Sequence, residues 1–264
     1  MNIFFFGLTS IALYSLGTTY QALIYYRKAP SKPFFALLIG LVAAAAHSTM
    51  TYGLVSVNDG LNLSFFNAAS LFASLIVAVL LILSVQRPTQ NLFLVAYPIA
   101  IATIACALLF DTTPEQLTYR NSGILSHIIL SVLAYSIFTL AAGQAFLLYL
   151  QNKQLKTNYT SLLIRNLPPL QTMESLLFEM IWTGLILLTL GMISGTIFID
   201  DLFAQHLVHK TILSIIAWAI FAALLTGRQL KGWRGITASK WTLWGCLFLM
   251  LGYFGSKLVI EFIP

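Results

Sequence analysis

The sequence predicts an all-α, polytopic membrane protein with eight transmembrane helices, and three observations predict it. Its 264 residues are 59% hydrophobic and only 8% charged, where a soluble domain carries about a quarter charged residues. Apolar runs of roughly 20 residues, the length that crosses a bilayer as a helix, recur along the whole chain. Between them lie short segments rich in Pro, Gly, Asn and Asp, which break helices and turn chains.

Taken in order, the first run is 3–25. No basic segment precedes it, and Arg27 and Lys28 follow it instead, so it reads as a retained span rather than a cleavable signal. APSKP (29–33) ends it. The second run, 34–55, carries His47 within AAAAHSTMTYG, and SVNDGLN (56–62) leads to the third, 63–85. QRPTQ (86–90) separates that span from the fourth, 91–110, and DTTPEQLTYRNS (111–122) precedes the fifth, 123–150. NLPPLQ (166–171) opens the way to the sixth, 173–197, FIDDLFAQHLVH (198–209) to the seventh, 210–227, and TGRQLKGWRG (226–235) to the eighth, 240–262. These connections leave no room for a second domain, so 1–264 is expected to be a single membrane domain. Spans one to four and five to eight have the count of a duplicated pair, with no residue correspondence to establish one.

Lysine and arginine orient the spans. Connections after spans one, three, five and seven hold Arg27, Lys28, Lys32, Arg87, Lys153, Lys156, Arg165, Arg228, Lys231, Arg234 and Lys240; the opposite side holds Arg120, Lys210 and Lys257. The side rich in basic residues is the cytoplasmic one. Both termini are then expected outside, in the periplasm of a bacterial inner membrane. A net charge of +6 and pI near 9.4 raise nucleic acid as a partner, but the charges are scattered among short connections, as membrane orientation requires, and no nucleic acid is expected. The chain has no nucleotide-binding loop, no CxxC and no CxxCH. Cys106 and Cys246 fall at opposite depths, read as small core residues, and are not expected to form a disulfide.

The charge-derived topology brings all four histidines toward the outer side. An imidazole within a bilayer is costly and marks function by default, with haem iron the first candidate for a gathered set. His47 lies in the outer half of span two beside small residues that admit a neighbouring helix or a flat ligand. The alternative is a neutral histidine hydrogen-bonded to a neighbouring helix. His127 stands one turn into span five, and Ser131 and Tyr135, four and eight residues on, are expected on its face. Its alternative is a histidine solvated among headgroups. His206 and His209 are three apart in QHLVHK, a spacing that can hold a metal, but one such pair lacks the other ligands of a zinc site. In 58–70, Asn62, Ser64 and Asn67 accompany Phe65 and Phe66, the mixture of polar groups and apolar faces that a porphyrin binds; a span entrance has the same composition. Glu179 reads as a proton-relay carboxylate or a surface group, and Lys257 as a lysine snorkelling to the outer interface. Trp182, Trp218, Trp233, Trp241 and Trp244 suit interfacial belts.

SHIILSVLAYS (126–136), NLPPLQTMESLLF (166–178), HKTILSIIAW (209–218), GWRG (232–235) and GYFGSK (252–257) together resemble the cytochrome c assembly family of CcsA- and HemX-like membrane proteins, and within it the short YpjD-like branch. The resemblance covers most of the chain and is strongest from span five onward. It implies a protein that binds or handles haem at the outer membrane face. In the full synthases, histidines flank a tryptophan-rich outer loop that presents haem for attachment. By the resemblance, His127 matches the histidine before that loop, and Lys210 and Trp218 match positions just after its core. The segment 198–209 has no tryptophan cluster, Thr226 stands where the family has a histidine at the end of span seven, and the late outer histidine has no counterpart. The resemblance therefore implies haem handling without the attachment reaction.

The leading expectation is a non-covalent haem b protein serving cytochrome c maturation proteins, with His127 and either His47 or His209 as axial ligands and Ser131, Tyr135 and Asn67 lining the site. A small-molecule transporter would show broken helices at the midplane or inverted repeats. A scaffold or partner subunit would make small-residue pairs such as Gly191 and Gly195 the important feature.

Overall fold

The computed structural model describes residues 2–26, 28, 32–57, 60–110, 116–118, 122–156, 166–198 and 208–258. Among them run eight α-helices: α1 (Ile3–Tyr25), α2 (Pro33–Val55), α3 (Phe65–Gln86), α4 (Phe93–Leu109), α5 (Ser122–Lys156), α6 (Leu170–Phe198), α7 (Val208–Lys231) and α8 (Gly235–Met250). A π-helical turn, Leu251–Gly255, continues α8, and 256–258 follow it as helix. Seven of the helices are long and apolar enough to cross a membrane by themselves, and α8 reaches that length through its π-turn. The chain is an all-α polytopic membrane protein.

The ends of the helices follow from local chemistry. The side chain of Asn2 caps α1 by accepting the Phe5 N–H at 3.2 Å, and Pro33 opens α2, where its missing N–H costs nothing. No glycine or proline stands in 151–156, so α5 runs on past the apolar residues to 35 residues in all, about 52 Å at the helical rise. One element escaped the sequence reading. Ser56–Val57 (β1), Gly60–Asn62 (β2) and Gln116–Thr118 (β3) form a three-stranded antiparallel sheet in that order, with Leu61 opposite both Ser56 and Leu117. These strands pair the backbone groups of two connections that read only as breaker-rich loops.

By internal packing the chain divides into two compact units, Met1–Tyr119 with Arg165–Leu167, and Arg120–Ile164 with Pro168–Pro264. In the first, α1 packs on α2 and α4, and α3 on the same two, closing a four-helix bundle. Its core centres on the fully buried Tyr14 and Tyr97, whose rings lie 5.0 Å apart. Glycine makes that fit possible: a Cβ at Gly17 would lie 2.8 Å from the Tyr97 ring, and one at Gly40 2.6 Å from its hydroxyl. Small residues of this kind let membrane helices approach where no hydrophobic force drives them together.

The second unit repeats the arrangement with α5 to α8. Phe138 of α5 and Phe221 of α7 stack at 3.9 Å with 14° between ring planes. Gly184 of α6 and Gly245 of α8 make room for the stack, since a Cβ would meet Phe138 at 2.9 Å or Phe221 at 2.6 Å. Cys246 donates to the Phe138 carbonyl at 3.0 Å, and both cysteines are free thiols.

Candidate functional site

His127 is placed by two glycines of the neighbouring helix. Its Nδ1 lies 2.7 Å from the carbonyl oxygen of Gly191. A carbonyl only accepts, so Nδ1 carries a proton, and in the neutral imidazole the lone pair is then on Nε2. The Ser194 hydroxyl donates to the same carbonyl at 2.9 Å and stands 3.4 Å from Nδ1. Nε2 has no hydrogen-bond partner among the described residues. A Cβ at Gly195 would lie 3.0 Å from both Cε1 and Nδ1, so the ring occupies the surface that the glycine leaves bare. The Gly191–Gly195 pair, which a scaffold would use to dock another helix, here receives a half-buried imidazole.

The face expected to carry His127, Ser131 and Tyr135 divides. Ser131 also turns to α6, where a Cβ at Gly191 would come within 3.3 Å of its Oγ. Tyr135 reaches α8 instead, donating to the Leu249 carbonyl at 3.0 Å. Steps of four residues each rotate about 40° around a helix, so the eighth residue has drifted to a different neighbour.

That drift ties α5 to α8 just before the π-turn. Along α8 and its π-turn the buried positions are Ala238, Ser239, Thr242, Gly245, Cys246, Leu249 and Gly252, one stripe of the helix; the next is Lys257, five residues on. The π-turn takes up the extra residue and carries Lys257, only 5% exposed, into the interior. The snorkelling orientation expected for this lysine is not the one adopted. Within the same turn, the Tyr253 ring lies 5.9 Å from that of Tyr135, and the Lys210 ammonium lies 5.7 Å from the Tyr253 centroid. The α5–α8 register, set by Tyr135 with Leu249 and by Phe138 with Cys246, puts His127 and Lys257 in one layer of the bundle, each eight residues beyond the Tyr135–Leu249 pair. His209 is exposed on the first turn of α7; His206 lies outside the described residues.

In the first unit, fully buried His47 has both ring nitrogens engaged: Tyr14 Oη lies 3.3 Å from Nδ1 and Ser70 Oγ 3.0 Å from Nε2. Thr51 extends the chain of hydroxyls, 3.3 Å from Ser70. Asn67 is buried in the first turn of α3, and Phe66 stacks on Phe110 at 5.1 Å. Glu179 is exposed, while Glu174, buried, lies 3.8 Å from Arg234. Among the described residues no three His, Cys, Asp or Glu side chains gather as a metal site. Sequence reasoning read Lys257 only as an interfacial lysine and missed Tyr253 and the Gly191 carbonyl. The glycine pair at 191 and 195 and the GYFGSK segment were the signals available.

Residues 35–263 match the family described as Cytochrome C assembly protein. The Escherichia coli (strain K12) "Inner membrane protein YpjD" is 30% identical over 237 residues, 86% of this chain and 87% of that one. "Protein HemX" of Brevibacillus brevis is 28% identical over 134 residues, half of this chain and 49% of its own length. "Cytochrome c biogenesis protein CcsA" of Prochlorococcus marinus (strain MIT 9303) is 29% identical over 96 residues, 36% of this chain and 30% of that one. No solved structure matches it significantly. With the family match running through both four-helix units, the chain belongs to the cytochrome c assembly protein family.

Proposed function

We propose that this chain is a haem-binding protein of the bacterial inner membrane with an accessory role in cytochrome c maturation at the outer face. Membership of the family supports a role in cytochrome c biogenesis, and the relative named as an inner membrane protein supports that location. The observation that carries haem binding is the His127–Gly191 hydrogen bond. Metal-bound histidine almost always gives its other N–H to a carbonyl or carboxylate, which fixes the tautomer and raises the basicity of the ligating nitrogen. His127 has that arrangement, with Nε2 left to ligate. Bound haem supplies an iron centre in a flat, largely apolar macrocycle; His127 holds it, Ser131 adds a hydroxyl one turn along, and Tyr135 anchors α5 to α8. Haem is held as haem b, without thioether bonds, and the CxxCH thiols of the pathway belong to the cytochrome. His209, exposed on the first turn of α7, is the first candidate to hold the iron together with His127. His47 ligates only if it gives up one of its hydroxyl partners. The reading asks of the protein no covalent chemistry of its own.

The test is colour. Protein purified in detergent after haem supplementation should show a Soret band, and His127→Ala should remove or blue-shift most of it while expression stays near wild type. A normal haem spectrum and stoichiometry in His127→Ala would remove His127 from the site. A wild type that takes up no haem would leave a scaffold role in place of haem binding.

A further inference from the structure

In the first unit α1 and α3 end, and α2 and α4 begin, around a cavity of about 240 Å³. Ile24 of α1, Leu37 of α2, Val85 of α3 and Phe93 of α4 give it apolar walls, and among the polar residues lining it are Gln21 and Lys32. Gln21 is only 5% exposed, and its amide has no hydrogen-bond partner among the described residues. A buried amide is costly without one, and the cavity is where a partner can enter. Lys32 is held at the start of α2 by its backbone N–H, which donates to Tyr20 Oη at 3.1 Å, beside Gln21 in α1. There α2 begins with no side-chain cap, so the positive end of its dipole adds to the lysine charge. The unit has no carboxylate at this end to answer that charge. From Met1 to Tyr119 the acidic residues are Asp59, Asp111 and Glu115, which the chain places after the far ends of α2 and α4; α2 alone is about 34 Å long at the helical rise.

The polar groups are layered by depth as a phospholipid is. Lys32 stands at the end of its span, at headgroup level. Gln21 lies four residues before the end of α1, about 6 Å further in, the thickness of the interfacial layer in which glycerol esters sit. The cavity is smaller than the roughly 300–1,000 Å³ of a small-molecule site, and suits the polar part of a ligand whose chains stay in the bilayer. A soluble anion would answer Lys32 and leave Gln21 and the apolar walls without a partner. We infer that this cavity binds the phosphate and glycerol of an anionic phospholipid. Lys32 and the N-terminus of α2 hold the phosphate, and the Gln21 amide donates to a glycerol ester carbonyl. Basic pockets between membrane helices recognise anionic headgroups by the same charge complementarity.

The experiment is native mass spectrometry of the full-length protein in neutral detergent, titrated with palmitoyl-oleoyl phosphatidylglycerol or the matching phosphatidylcholine, which resolves the first bound lipid and gives its affinity. Wild type should bind phosphatidylglycerol about tenfold more tightly, the range of one hydrogen bond to a charged group, because the choline of the other lipid already answers its phosphate. Lys32→Gln should abolish that preference and Lys32→Arg should retain it. Lys153→Gln, which removes an exposed charge from α5 in the other unit, should leave it unchanged. Gln21→Leu should weaken both lipids alike, by about two- to tenfold, the range of one neutral hydrogen bond, since both carry glycerol esters. That variant removes an unpartnered buried amide, so its melting temperature without lipid should not fall. A Lys32→Gln protein that keeps the preference, or a Gln21→Leu protein that binds both lipids as wild type does, overturns the inference. Equal wild-type affinity for the two lipids overturns it as well. So does displacement of phosphatidylglycerol by excess inorganic phosphate, which would make the cavity a site for free anions.

Discussion

The imidazole of His127 packs against the bare backbone of Gly195, close enough that a methyl group there would stand 3.0 Å from two of its ring atoms. One helix thereby sets the orientation of a side chain on another largely through its backbone, with Ser194 Oγ 3.4 Å from Nδ1 beside it. The Gly191 carbonyl, one turn away on α6, sets the tautomer. Position and protonation of the ring thus come from two glycines four residues apart.

Gly195→Ala should therefore weaken haem binding by about tenfold or more, the usual effect of disturbing the partners of a metal-bound histidine. Gly191→Ala is the control: its Cβ meets Ser131 Oγ at 3.3 Å, a contact that a small rotation of the serine relieves. Soret titrations of both variants check the contrast. Equal losses would mean that ring placement does not depend on Gly195.

His47→Phe should behave in the opposite way. Burying Tyr14 without its imidazole partner leaves its hydroxyl unsatisfied in an apolar interior, while Ser70 keeps Thr51 at 3.3 Å, so the cost is roughly 1–3 kcal/mol. Thermal unfolding in detergent should register that loss, whereas the haem spectrum should be unchanged. A lost Soret band at unchanged stability would make His47 a ligand.

Orientation rests on the basic residues alone. With eleven of them on one side and three on the other, a periplasmic reporter fused after Pro264 should be active and a cytoplasmic one silent. Reporter activity in the opposite sense would move the His127 end of the second unit to the cytoplasm and end the outer-face reading.

The eight helices were legible because a membrane leaves each span one solution, a continuous helix that satisfies its own backbone. Their connections were less legible. β1 to β3 bring 56–62 into register with 116–118, a pairing between connections far apart in sequence. His127 stood out by residue type and resemblance. Gly195 and the Gly191 carbonyl did not, since only packing shows which neighbour a small residue serves. Lys257 was read as snorkelling from its place near the outer end of span eight, and a π-turn, which sequence does not announce, changes which residue there is buried.

The GWRG segment between α7 and α8 separates two uses of glycine. Gly232, at φ +66° with open space around its Cα, ends α7 in the left-handed conformation, and its N–H closes on the Arg228 carbonyl at 3.1 Å. Gly227 is helical, and a Cβ there would run into the Trp233 ring, which folds back over α7 and lies 5.0 Å from Trp241. Gly232→Ala should thus cost about 1 kcal/mol through backbone strain, leaving the tryptophan docked. Gly227→Ala should push Trp233 off the helix, since a rigid indole cannot yield to a backbone-anchored methyl as a flexible side chain would. Hydrogen exchange across 226–241 and quenching of Trp233, in a chain whose other tryptophans are replaced by phenylalanine, separate the two. Gly232→Ala should lower protection uniformly with unchanged quenching, and Gly227→Ala should raise quenching sharply. If both variants leave Trp233 equally shielded, the glycine at 227 is not what seats it.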